Sequence, residues 1–394
     1  MLRRVGRHGW VALACACGGS TSQVTSLDAA LSPPDAEAEA LTPSSDLHPQ
    51  IDSAFGVAGT VGGLLSEWTP VGVGVDTQDR ILISGPSSDP SRPPANILRR
   101  LLPDGTLDLS FGVSGSVSVA VHANELAQVT QTISNGAIGV LGSAFNGSNQ
   151  GFVSRFQSNG SADATFGTTP PVSIVDTALT SGLWQGDGSG FLVALAGIER
   201  FDADGAVDLG FGAAGTIAGA EAAAANVDGK LWTSQGGVLR RYLANGTLDS
   251  SFGQGGMKPL PWSSAGTTAQ SVVLTASGVT VVGSHASDLA TYLDVAWTDQ
   301  AGSSNASGSA APVPTNGAPI GASDLGDGRV LVWTSGADLV VVHRDGSLDG
   351  PKNAGQVGTL IAAAVDSGGH LVVTGITTED PTNATWFVRR YGLF

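Results

Sequence analysis

The sequence predicts an all-β fold, a ring of repeated four-stranded units, and three observations carry that reading. The first is composition: the 394 residues include 56 Gly and 19 Pro, while only 13% are charged. An average soluble domain is about a quarter charged and about 7% Gly, so this chain is built for many short strands and turns, and a helical bundle or coiled coil is excluded. The second is a phrase of the form Asp-x-x-Phe-Gly that returns along the chain. The third is a set of strongly β segments placed at fixed phase between the phrases and preceded by the residue pairs of tight hairpins.

The amino terminus comes first in chain order. Met1-Leu2-Arg3-Arg4, with Arg7 and His8, forms a basic start, followed by an apolar stretch from Trp10 to Cys17 that is too short to span a bilayer. Ala14-Cys15-Ala16-Cys17-Gly18-Gly19-Ser20 then holds both cysteines of the chain. Small residues before a Cys resemble a bacterial lipobox, and Cys17 is the expected lipidated residue, although Ala14 stands where the pattern prefers Leu. Cys15, with Ala12 at that place, departs equally. The alternative is an ordinary signal that is cleaved away with its cysteines. Under both readings residues 1–17 are a targeting segment, and no Cys remains to form a disulfide in the folded body.

Residues 18–46 are expected to be a disordered linker. Ser, Thr, Ala, Pro and acidic residues dominate, with Pro33-Pro34-Asp35-Ala36-Glu37-Ala38-Glu39 at the centre and no aromatic residue. Such a segment buries too little apolar area to offset its conformational entropy.

The rest, 47–394, reads as one repeated body. The phrase appears as Asp52-Ser53-Ala54-Phe55-Gly56, Asp108-Leu109-Ser110-Phe111-Gly112, Asp163-Ala164-Thr165-Phe166-Gly167, Asp208-Leu209-Gly210-Phe211-Gly212 and Asp249-Ser250-Ser251-Phe252-Gly253. Gly105, Gly160, Gly205 and Gly246 precede the later four by three residues. Two decayed copies follow, with Gly302 and Asn305, then Gly346 and Asp349, and neither keeps the Phe-Gly. The Asp positions step by 56, 55, 45, 41, 56 and 44 residues, inside the period that marks solenoids, propellers and arrays. The last unit ends at Arg389-Arg390-Tyr391, which matches Arg240-Arg241-Tyr242 ahead of Asp249, so the units are expected to fill 52–394.

Each unit reads as four strands. A short strand follows the Phe-Gly, as in 115–119 or 215–218, and a second runs as in 71–75 or 271–275. The third is strongly β, as in 80–85, 279–283, 329–333 and 370–375, after hairpin pairs such as Asp228-Gly229 and Asp327-Gly328. The fourth carries Arg-aromatic pairs: Arg155-Phe156, Arg200-Phe201 and Arg241-Tyr242. Four antiparallel strands per unit is the content of a propeller blade, so the expected fold is a single β-propeller of seven four-stranded blades.

Arg-aromatic followed by Asp/Asn-Gly-x-x-Asp-x-x-Phe-Gly resembles the delta-60 repeat of exported bacterial proteins. The resemblance covers 48–394, with five well-formed copies, and implies a β-propeller and a bacterial surface setting. It carries no common reaction.

Arg100, Arg155, Arg200 and Arg241 each precede Asp108, Asp163, Asp208 and Asp249 by eight residues. A pair that recurs at one spacing is expected to be a structural bridge, because a catalytic residue has no need to occur once per blade. Trp297 stands at the Arg place when the Asp has become Asn305, so both charges are lost together; Val341 beside the retained Asp349 is the counterexample.

No catalytic residue, metal or cofactor is expected. Asp202-Ala203-Asp204-Gly205 and Asp324-Leu325-Gly326-Asp327-Gly328 lack the spaced oxygens and terminal Glu of a calcium loop. His8, His48, His122, His285, His343 and His370 are scattered, and no Gly-x-Ser-x-Gly elbow occurs.

The net charge of −16, from 18 Lys+Arg against 34 Asp+Glu, repels nucleic acid. The expected function is a non-catalytic, exported, lipid-anchored binding module of the cell envelope, placed at the outer membrane or cell surface, otherwise periplasmic or secreted. It is expected to be a monomer whose partner is an envelope protein or glycan and whose membrane contact is the lipid alone. The alternatives are a propeller enzyme working in the central channel, of lyase, glycosidase or quinone-dependent dehydrogenase type, and a purely structural envelope protein. Binding would reside in the insertions 86–95, 144–150, 303–318 and 377–385.

Overall fold

The computed structural model describes residues 47–65, 68–87, 96–119, 125–132, 136–145, 149–167, 179–262, 266–287, 290–303, 308–355, 358–377 and 384–394. Residues 1–46, where the targeting segment and linker are expected, lie outside them. Among the described residues every regular element is a strand, and no helix is long and apolar enough to cross a membrane.

Strands β1 (Gln50–Ile51) and β2 (Thr60–Leu64) are set aside by the chain for the closing sheet. The first sheet is β3 (Gly72–Val75), β4 (Ile81–Pro86), β5 (Asn96–Leu101) and β6 (Ser116–Val119), in that order. The second is β7 (Glu125–Thr132), β8 (Ile138–Phe145) and β9 (Asn149–Phe156). The third is β10 (Leu179–Trp184), β11 (Gly190–Ala194), β12 (Ile198–Phe201) and β13 (Thr216–Ile217); the fourth is β14 (Ala222–Ala225), β15 (Leu231–Gln235), β16 (Val238–Tyr242) and β17 (Met257–Pro259). The fifth holds β18 (Thr268–Thr275), β19 (Gly278–Ser287) and β20 (Ala290–Thr298), with β21 (Gly308–Ser309) and β22 (Val313–Thr315) both paired to β20. The sixth is β23 (Pro319–Asp324), β24 (Val330–Thr334), β25 (Asp338–Val342) and β26 (Leu348–Asn353). The closing sheet is β27 (Thr359–Val365), β28 (Leu371–Thr377) and β29 (Thr385–Gly392), with β1 and β2 laid along β29.

The expectation of seven four-stranded blades is therefore corrected: six sheets are complete blades of four or more strands, and the second has three among the described residues. Residues 168–178, which follow its Phe-Gly phrase, lie outside them. A second correction concerns phase. The short strand after each Phe-Gly pairs with the preceding Arg strand, as β6 does with β5 and β13 with β12, so each blade takes its outer strand from the next sequence unit. The cause is local: the Phe-Gly turn reverses the chain at once, and the nearest open edge is the strand just left.

The first strands of the sheets touch in a ring, β3 to β7 to β10 to β14 to β18 to β23 to β27 and back to β3. The core lies between sheets. Hydrophobic clusters are each drawn from two neighbours: Phe55, Trp68 and Ile83 meet Val372 and Trp386 at the closing junction, and Trp232, Leu239 and Phe252 meet Val272 and Val281 between the fourth and fifth sheets. Closure is antiparallel, with Thr60 opposite Arg389 and Leu64 opposite Thr385, and Trp68 packs edge-on to Trp386 at 4.9 Å. No edge of the closing strand is left open on that side.

Candidate functional site

The repeated charges meet on one rim of the ring, where the Arg strands end. Arg100 Nε donates to Asp108 Oδ2 at 2.8 Å, Arg155 Nε to Asp163 Oδ2 at 2.7 Å, and Arg241 Nε to Asp249 Oδ2 at 2.9 Å; Arg200 Nη1 stands 3.2 Å from Asp208 Oδ2. Each guanidinium also crosses the junction. Nη1 donates to the backbone carbonyl of Ser158, Ala203, Ala244 and Gln300, respectively, all in the next sheet's turn. Three of them lie over the ring of their own phrase, Arg100 over Phe111 at 4.4 Å, Arg155 over Phe166 at 4.6 Å and Arg241 over Phe252 at 4.9 Å, whereas Arg200 sits near Phe191.

The rest of the phrase completes a latch. Asp108 Oδ1 accepts from the Ser110 amide and hydroxyl, and Asp249 Oδ1 accepts from those of Ser251, which turns the chain toward the Phe. The Gly amide after the Phe then donates to the next sheet's turn, Gly112 to Asn159 O and Gly212 to Asn245 O, each at 2.8 Å. The turn glycine fits against this ring: a Cβ on Gly105 would meet the Gly56 nitrogen at 2.8 Å, at a φ of +86°.

A fifth latch joins the two ends of the chain. Arg390 Nε donates to Asp52 Oδ2 at 2.7 Å, Nη1 donates to Pro103 O, and the guanidinium lies 5.3 Å from the Phe55 ring centre. A search for Arg eight residues before Asp52 misses it; the match of Arg389-Arg390-Tyr391 with Arg240-Arg241-Tyr242 is the signal that finds it. Asp349, which has Val341 instead of Arg, accepts the Leu47 amide at 2.5 Å, and the buried Leu47 side chain joins the cluster between the sixth and closing sheets.

Several carboxyl groups are shifted. Burial pushes Asp108 and Asp163 up, but hydrogen bonds from Ser110 and Thr165 and from their arginines outweigh it, and both end below the ordinary range. The Ser251 hydroxyl, then the Ser251 amide and Arg241, hold Asp249 at about 2 against the effect of burial. Glu199, buried on β12, is pushed up to about 7 by desolvation.

The sequence-flagged turns use their acids locally: Asp204 Oδ1 accepts the Ala206 amide and Asp324 Oδ1 the Gly326 amide. Among the described residues no group of three His, Cys, Asp or Glu is placed to hold a metal ion. His48, His285, His343 and His370 stand apart on different elements, and His8, His122, Cys15 and Cys17 lie outside the described residues.

The opposite rim is uneven. Insertions 86–95, 144–150 and 377–385 join the second and third strands of their sheets, so their flanking strand ends all point to this rim. Sequence reasoning missed one group here. His285 Nδ1 is 2.5 Å from Asp294 Oδ2, Asp294 is buried with Oδ1 unpartnered, and the imidazole stacks on Tyr292. The signal was the unit's length, since β19 and β20 extend beyond their counterparts in neighbouring sheets.

Three stretches, residues 79–111, 134–166 and 227–252, match the family described as domain of unknown function (DUF5122) beta-propeller. Each stretch ends on the Phe of a phrase, and together they span under a quarter of the chain. No curated protein sequence matches. Among solved structures, a streptogramin B lyase aligns at 12% identity with a TM-score of 0.51, covering 85% of this chain and 98% of that one. A catalytically inactive variant of virginiamycin B lyase from Staphylococcus aureus with quinupristin aligns at 12% identity and 0.53, covering 84% and 98%. The WD40 beta propeller domain of Doa1 aligns at 11% and 0.53, covering 84% and 95%. Unrelated activities on one architecture show the fold alone. The chain is a β-propeller repeat protein.

Proposed function

We propose that this propeller is a non-catalytic binding module of the bacterial cell envelope, exported and lipid-anchored through Cys17, with an envelope protein or glycan as partner. The observation that carries the reading is the division of labour between rims. The recurring charges are consumed in junction latches on one rim, while three of the four unit-specific insertions, 86–95, 144–150 and 377–385, join strand ends at the other; 303–318 instead supplies the outer strands β21 and β22. Loops on a rigid scaffold are where recognition is carried. The test replaces 88–95 and 378–383 by Asn-Gly turns in the full chain. Loss of retention on isolated envelopes with an unchanged thermal midpoint supports the reading, and unchanged retention rejects it. Labelling with a radioactive fatty acid, lost in Cys17→Ser and kept in Cys15→Ser, tests the anchor.

A second reading, a propeller enzyme, draws on His285, because a buried Asp bonded to Nδ1 orients an imidazole for proton transfer. The similar lyases supply its assay. Consumption of quinupristin that His285→Ala abolishes would support a lyase, and intact quinupristin after prolonged incubation rules out that version.

A further inference from the structure

At five of the seven junctions an arginine bolts one sheet to the turn of the next; it is missing between the sixth and closing sheets, where Val341 stands in its place, and between the fifth and sixth. Trp297 occupies the arginine's place at the end of β20, and its six-membered ring lies against Gly308 and Gly346. Beside the indole lies an open cavity of about 320 Å³, lined by Ser277, Thr280, Trp297, Asp299, His343 and Arg344 among others.

The lining has a definite chemistry. Asp299 accepts the Ser303 amide and hydroxyl, which hold its carboxyl below the ordinary range, so it is an ionised acceptor. Arg344, at the position of Ala203 and Ala244 in closed latches, sends its guanidinium to Asp327 O and stays exposed. The half-buried His343 imidazole makes no hydrogen bond among the described residues. An indole wall beside mixed donors and acceptors disfavours a purely apolar ligand, which would strand the polar groups. A bare cation meets Arg344, and a polyanion meets the field of a chain with net charge −16.

We propose that this opened latch binds a pyranose sugar, whose C–H face packs on Trp297 and whose hydroxyls bond to Asp299, His343 and Arg344. The proposal rests on the binding-module reading for its ligand class, a glycan, and places that contact on the latch rim, separate from the insertions of the other rim. A small pocket of this size takes a short ligand rather than a long polymer.

The experiment titrates the full chain with cellobiose, N,N′-diacetylchitobiose and digalacturonic acid, read by tryptophan emission and by calorimetry. Saturable binding of at least one sugar is expected, weakened about tenfold or more, equivalent to about 1.4 kcal/mol, in Trp297→Phe and in His343→Ala. His343→Ala should keep the wild-type melting profile, Trp297→Phe should unfold in a single transition at a lower midpoint because its ring packs on the core, and Trp262→Phe, on the other rim, should bind as wild type. No binding of any of the three sugars overturns the proposal. Binding that persists unchanged in both pocket variants also overturns it and leaves the module reading standing. Failure of envelope retention alone, with sugar binding intact, rejects the module reading and spares the pocket.

Discussion

At each intact junction one guanidinium is shared by two sheets, and this fixes what its removal should do. Arg241 and Asp249 are both buried, so Arg241→Ala removes the nearer of two cations at Asp249, Lys230 Nζ standing at 3.6 Å, strips the Gln300 carbonyl of its donor, and should cost about 2 kcal/mol. Arg200 and Asp208 are more open to solvent, and Arg200→Ala should cost clearly less; urea unfolding of the two variants checks the order. The depressed carboxyls set a pH dependence. Asp52, held down first by Arg390, along with Asp108, Asp163 and Asp249, binds protons more weakly folded than unfolded. Their stabilisation is therefore present above the ordinary Asp value of about 4 and is lost as pH falls through their lowered folded values, which for Asp249 is about 2. Ser251→Ala should move the acid midpoint upward, and equal acid midpoints would contradict the assignment. Glu199 has the opposite sign: its folded value of about 7 penalises the ionised form, so the penalty grows from pH 4.5 to 7. Glu199→Gln should raise the melting temperature at pH 8 and leave it unchanged at pH 4. The Arg–Asp spacing was legible because it repeats locally; Arg390 with Asp52, and Leu47 with Asp349, span most of the chain and leave no spacing to read.

Among the elements, the turn glycines separate two causes of cost. Gly246 and Gly236 both have positive φ, but a Cβ on Gly246 would meet the Gly212 nitrogen at 2.5 Å, while one on Gly236 meets nothing within 4 Å. Gly236→Ala should cost only the backbone term, about 1 kcal/mol, and Gly246→Ala distinctly more. Thermal midpoints that fall equally would show that the junction contact carries no weight. The four strands of a unit were readable from hairpin pairs and β-branched runs, as Asp327-Gly328 before β24 shows. Their grouping into sheets was not, because the edge on which a short strand such as Thr216–Ile217 pairs is decided by proximity after the Phe-Gly turn. β29 is the element on which closure depends, bonded to β28 on one side and to β1 and β2 on the other. Deleting 386–394 should lower the midpoint of the whole ring; an unchanged midpoint would mean that closure is dispensable.

For the whole molecule, the repeat period narrowed the fold to solenoids, propellers and arrays, and four antiparallel strands per unit selected the propeller, in which units bury against each other the faces that none can bury alone. The loss of the latch at Trp297 was legible as a Trp in the Arg place, but what lines the cavity beside it, like the His285–Asp294 contact, depends on which neighbour a side chain faces, and a one-dimensional pattern holds no such information. The one-strand offset between sequence unit and sheet has a consequence for how such a chain changes over generations. Every boundary between units falls inside a sheet, so a recombination event that copies or deletes one unit carries an outer strand and the next three strands together. The product has one sheet more or fewer, each still complete, and the joint formed by the chain's two ends is untouched. A lineage with this arrangement can alter its ring size through crossing-over between repeats without ever inventing a new seam.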